Sequence, residues 1–215
     1  RAMNPTVPYG AKSSDRNSGQ FIGPIHDLGE IARAIDTESY LARSIQKHRE
    51  YCLKEGWFLT GKNPEVVAYI KNRIMEFEMI TDTTFKSVLR DIVTNLVSYS
   101  TALFVLNREP SKSSGAAIRL HGKTLDPIAG IFAMDPTSVK VRQNQSGRPV
   151  EWQQRVDGST AKFDADDVAC ITIDKKTGFI FGTPYCLTVL DDIRALRRLE
   201  ELVELVSHKH LFPLF

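Results

Sequence analysis

The sequence predicts an α+β fold with a helix-rich N-terminal part, a mainly antiparallel β region and then one long amphipathic helix. Three observations carry this reading. Apolar residues recur at helical spacing over 41–52, 66–77 and 85–96. Between residues 128 and 174, short β-prone runs alternate with turn signals, and Asp157-Gly158 is the strongest hairpin signal because both residues tolerate positive φ. From 184 to 209 a single helical pattern runs with apolar residues on one side and charges on the other.

In chain order, residues 1–35 are expected to form an extended N-terminal arm. The first two dozen are rich in Gly, Pro, Ser and Asn, and cannot offset their own ordering entropy. An α+β unit spans 36–181. Its first helix places Leu41, Ile45, His48 and Cys52 on one face, with Asp36 or Thr37 as cap and His48 as a core-edge histidine. Residues 57–59 read as a short strand. Asn63-Pro64-Glu65 combines a capping side chain, a first-turn proline and an acid at the positive helix end. Val66, Val67, Ile70, Ile74 and Phe77 form that helix's expected buried face. A third helix begins near Thr84 and carries Phe85, Val88, Leu89, Ile92, Val93 and Leu96. Strands are then expected over 99–106, 128–134, 138–142, 150–156 and 167–174, with loops at 110–115 and 144–149. The third region, 182–215, is the long helix with a short C-terminal extension.

Composition bounds the function. The 215 residues can bury a sizeable core. No apolar run approaches the roughly 20 residues needed to span a bilayer. Net charge is +2, from 28 basic and 26 acidic residues, too balanced for a protein that grips many phosphates. Cys52, Cys170 and Cys186 are odd in number, far apart and set among apolar neighbours, so buried thiols are expected rather than disulfides or a zinc site. The chain opens on Arg1 with no leader pattern and is expected to be part of a longer product.

Candidate chemistry is thin. His121-Gly-Lys-Thr124 matches the end of a phosphate loop, but Ala117 stands where that loop needs a glycine. Asp164-Ala-Asp-Asp167 lacks the alternating ligands of a calcium loop and reads as a turn into the next strand. His208 and His210 are two apart and point to different helix faces. Neither a catalytic group nor a cofactor or metal ligand is assigned, and the protein is expected not to be an enzyme.

The long helix is the informative element. Val189, Ile193, Leu196, Leu199, Leu202, Val203 and Val206 share one side, and Asp191, Arg194, Arg197, Arg198, Glu201 and Glu204 the other. Leu187, Leu190 and Leu205 interrupt the polar side, so a second packing surface is expected. Either it is a core helix of a monomer, or it packs against copies of the same chain. The second reading makes Val189, Ile193, Leu196, Leu199, Val203 and Val206 a subunit interface, with Arg194, Arg197, Arg198, Glu201 and Glu204 facing a channel or solvent.

An ordered succession of segments then resembles one family. It runs DIVTNLVSYSTALF (91–104), IFAMDPTSVKV (131–141), FDADDVACI (163–171) and FGTPYCL (181–187). This is similar to the portal proteins of tailed bacteriophages, in which a helix leads to a strand, a strand pair, a hairpin and a turn that opens a long helix. Gly182-Thr-Pro stands where a serine is common, and Cys170 where a histidine is frequent. The resemblance implies a subunit of a dodecameric ring at one capsid vertex, a channel for DNA packaging and ejection. It implies contacts with the major capsid protein, the terminase motor and neck or tail adaptors, and loose contact with double-stranded DNA. Residues 36–181 would be most of the wing, 184–209 a stem helix and 208–213 the start of the clip. The clip, the returning helix and the crown would lie outside this sequence. The resemblance places the protein in the virion, assembled in the host bacterial cytoplasm. A sequence-unspecific nucleic-acid-binding or other viral assembly protein, or a hydrolase, are the rival readings.

Overall fold

A computed structural model describes residues 20–108, 118–120, 123–144, 147–176 and 178–211. Among the described residues four helices come first: α1 (Leu28–Thr37), α2 (Ser39–Leu53), α3 (Pro64–Thr81) and α4 (Phe85–Tyr99). The described residues then form the strands β1 (Thr101–Arg108), β2 (Ile118–Leu120), β3 (Lys123–Leu125), β4 (Ile128–Met134), β5 (Val139–Gln143), β6 (Pro149–Val156), β7 (Ser159–Asp164) and β8 (Val168–Thr172). The last element is α5 (Leu187–Leu211). The mixed fold of helices and antiparallel sheets is as the sequence predicts.

The helix starts reflect local chemistry. The Asn63 side chain accepts from the Glu65 N–H with Pro64 in the first turn, and Thr84 caps α4 through the Ser87 N–H. Residues 1–35 are not all an extended arm, since Leu28–Thr37 is helical. Asp27 accepts from the Gly29 and Glu30 N–H groups, and Leu28 and Ile31 are buried. The Gly23-Pro24 pair just upstream hides this short helix in the sequence. Residues 57–59 form no strand. They have no strand partner, and Trp57 instead stacks edge-on against Phe85 at 5.0 Å.

One antiparallel sheet has the order β4-β1-β8 and another the order β5-β6-β7. β1 pairs on both sides, with Leu103 opposite Met134 on one neighbour and Cys170 on the other. Its residues 101–104 are all buried because each face meets a different layer. Ala102 and Phe104 pack with Phe77 and Val88 of the helices. Leu103 packs with Val139, Val141, Trp152 and Phe181 of the second sheet and the segment before α5. The Asp157-Gly158 hairpin joins β6 to β7 with φ of 49° and 81°, as expected. Ile22 exchanges two backbone hydrogen bonds with Val141, at 2.8 Å each, which adds the start of the described chain to the β5 edge.

A third cluster lies where α5 is rooted. Leu28, Ile31, Leu41, Ile45, Cys186 and Leu190 are buried together, flanked by Val97 and Tyr99 of α4. The segment leading there is held by backbone contacts. Ser100, in the left-handed region at φ 53°, closes α4 by donating to the Leu96 carbonyl, and its own carbonyl accepts from the Ile173 N–H. The Gly182 N–H donates to the Thr101 hydroxyl at 2.9 Å. Cys170 and Cys186 are part-buried and buried as expected, whereas Cys52 and His48 are exposed at the α2 surface.

Candidate assembly surface

α5 starts at Leu187, three residues later than the helical pattern expected from 184. Pro184 is buried instead, and its carbonyl accepts the Leu187 N–H at 3.3 Å. The first two turns are the root. Leu190 is buried, and Leu187 and Ile193 pack against the α1–α2–α4 cluster. Leu187 and Leu190, which interrupt the polar side of the sequence pattern, are therefore the residues that meet the chain's own body.

Two arginines tie the root down. Arg194 pairs with Glu30 of α1 and with Asp191 at 2.7 Å, and Arg197 pairs with Glu38 at the α1–α2 junction. Arg194 and Arg197, assigned from sequence to a channel or solvent face, thus engage the chain's own helices. Glu201 stands at i,i+4 from Arg197 on the same helix, but the partner of Arg197 is Glu38. Sequence spacing shows neighbours along a helix and not those brought in from elsewhere.

Beyond the root, α5 leaves the body. Leu199 is 60% exposed and Val203 65%, and Leu196, Leu202, Leu205 and Val206 are exposed with them. Of the six predicted interface residues, Ile193 is partly covered by the chain itself, while Val189, Leu196, Leu199, Val203 and Val206 are exposed. Arg198, Glu201 and Glu204 are exposed as well. At about 1.5 Å per residue the part from Leu196 to Leu211 is about 24 Å long. An apolar seam of this length, left in water, is what an interface to another chain provides.

α3 offers a second apolar surface that the sequence pattern did not reveal. Val66 and Ile70, expected to be buried, are exposed, and only Phe77 of that face is fully covered. Between α3 and β4 lies an open groove of about 470 Å³, lined by Tyr69, Ile70, Ile74, Phe77, Ile128 and Ile131 among others. The periodicity is right for an apolar face, but periodicity does not say what covers it.

Among the described residues, no group of His, Cys, Asp and Glu is arranged to hold a metal ion. Also among them, no helix is long and apolar enough to cross a membrane. Asp164 to Asp167 form a short helical turn into β8, and Asp167 accepts from Arg108 Nε at 3.0 Å. That guanidinium also donates to the carbonyls of Asp126 and Asp166, fastening β1 to both neighbouring loops. His121 and Gly122 lie outside the described residues, as does the first part of the arm.

No family model matches the sequence, and no curated protein does. The fold, however, is that of proteins in assembled particles. A chain in the virion of a native gene transfer agent particle aligns with a TM-score of 0.64 at 12% identity, over 89% of this chain and 50% of that one. A chain in the neck of the native particle, computed with C12 symmetry, aligns at 0.67 and 10%, over 91% and 49%. A chain in the neck of the empty particle, computed with C6 symmetry, gives 0.65 and 11%, over 86% and 48%. The chain spans about half the length of each.

Proposed function

We propose that the chain is part of a structural subunit of a ring-shaped portal at one capsid vertex, the channel for DNA packaging and ejection. The observation that carries this is the distal half of α5, an apolar seam that the chain's own body leaves uncovered. Neighbouring copies in a ring cover it. The shared fold with chains from particle necks supports the reading, and so does the ordered resemblance to portal proteins. On this reading the ring is a dodecamer, with α5 as a stem helix beside the channel. Its partners are the major capsid protein, the terminase motor, neck or tail adaptors and, loosely, duplex DNA, and it has no catalytic role. Near-neutral charge suits a conduit, which must not grip the polyanion that it passes.

Native mass spectrometry and particle imaging of the full-length protein test this. The expected result is a ring of discrete mass. The Leu196→Asp and Val203→Asp variants are expected to lose the ring while keeping the wild-type circular dichroism spectrum, since both side chains are exposed in the single chain. A monodisperse monomer at micromolar concentration, or rings that survive both substitutions, would overturn the proposal. Salt-sensitive binding of DNA without assembly would favour the nucleic-acid-binding alternative.

A further inference from the structure

We infer that the extended segment 21–24 is a latch, and that its seating on the edge of β5 sets how firmly α5 is hinged to the body. The inference concerns the single chain and holds whether or not copies of it form a ring.

The latch is held by three kinds of contact. Ile22 and Val141 exchange backbone hydrogen bonds in both directions, at 2.8 Å each. The Phe21 ring lies 5.7 Å from Lys162 Nζ and 6.0 Å from the Arg142 guanidinium carbon, within cation–π reach of both. Those cations stand on β7 and β5, and Glu151 of β6 pairs with both, at 2.7 Å from Arg142 and 3.7 Å from Lys162. Phe21 therefore rests on a charged platform that crosses the whole β5–β6–β7 sheet. Gly23 follows close to the same surface, where a Cβ would stand 3.7 Å from Lys140 Cγ.

Little slack separates the latch from the α5 hinge. Five residues lie between Ile22 and Leu28, and Pro24 among them has a fixed φ and restricts Gly23 before it. Pro24 and His26 line a small cavity with Phe181 and Thr183 of the segment that enters α5. α1 then delivers Leu28 and Ile31 to the cluster around Leu190 and Glu30 to Arg194, and it ends at Glu38, the partner of Arg197. Much of what fastens the hinge thus lies on one stretch whose upstream anchor is Ile22.

Without that anchor the stretch is weakly held. α1 has ten residues, too few for a stable helix alone, and Leu28 and Ile31 are its buried side chains. With the latch lifted, α1 keeps its link to α2 but loses its fixed upstream end. Its opening then uncovers Leu190 and parts Glu30 from Arg194. Segments of low local stability open as units, and the moving parts of proteins are drawn from them. A seated latch makes α5 a stiff lever, and a displaced latch makes it a loose one.

Hydrogen exchange of the whole chain tests this, read by mass spectrometry at a concentration where native mass spectrometry shows single copies. Ile22→Pro removes the N–H that donates to Val141. It is expected to speed exchange over 28–37 and 190–197 about tenfold or more, with α3 and β4 at wild-type rates. A second variant fastens the latch. Gly23 stands opposite Lys140 in the antiparallel register set by Ile22 and Val141, so Gly23→Cys with Lys140→Cys brings two thiols within reach of each other. The oxidised form is expected to exchange more slowly over 190–197 than the same chain after reduction. Faster exchange confined to 20–24 and β5, or an equal rise in α3 and β4, overturns the inference. So do rates over 190–197 that are the same in the oxidised and reduced forms.

Discussion

Gly182 shows how a single missing side chain sets a junction. A Cβ there would lie 2.3 Å from the carbonyl oxygens of both Ser100 and Ile173, and 2.9 Å from the Ser100 Cβ. Two of these three atoms are backbone, so no rotamer change relieves the clash. Gly182→Ala is therefore expected to cost about 2–4 kcal/mol, as overpacked core sites do. A thermal melt should show the midpoint lowered by about 5–15 °C; an unchanged midpoint would contradict the packing described. The sequence showed Gly182-Thr-Pro as a turn before a helix, and that much was correct. It could not show that the glycine is needed for close approach, because Ser100 and Ile173 come from distant parts of the chain.

Among the elements, α1 carries more than its length suggests. It supplies Leu28 and Ile31 to the root of α5 and Glu30 to Arg194. Ten residues form a marginal helix alone, so its start matters. Replacing Asp27 with alanine removes the acceptor for two N–H groups and is expected to cost about 1 kcal/mol. Denaturant melts would show this as a lower midpoint with an unchanged slope. Legibility at this scale tracked pattern length. The helices with long stripes and the Asp157-Gly158 hairpin were readable, because periodicity and turn chemistry are local. Leu28–Thr37 was not, since glycine and proline precede it and its stripe has few positions. On α5 the pattern separated an apolar from a charged side, but it did not say which residues meet the body. Leu190 and Ile193 face the body because α1 and α2 happen to stand there. The outer faces of α2 and α3 were hidden for the same reason: exposure is a property of the assembled chain.

The whole molecule has an alkaline limit written into its interior. Burial pushes the Cys170 thiol from 9.0 up to about 11. Burial, aided by the charges of Asp135 and Asp36, pushes the Tyr99 phenol from 10.0 up to about 12. Both groups are neutral in the native state, and both hold their protons more tightly there than in the unfolded chain. Their contribution is complete below about pH 9 and is lost as pH rises through the folded values. Stability measured by denaturant melts should fall between about pH 9 and 12; a flat profile across that window would refute the burial of both groups. Cys170 lies between the sheets and Tyr99 beside the root of α5, so the loss is not confined to one layer. The clamped root has one more consequence. From Leu196 onward α5 is a lever of about 24 Å, and a tilt of about 5° at its base moves the tip by about 2 Å. The accuracy with which such tips could meet around an axis is therefore decided by Leu190, Arg194 and Arg197, where the lever is hinged, and not by the leucines and valines at its far end.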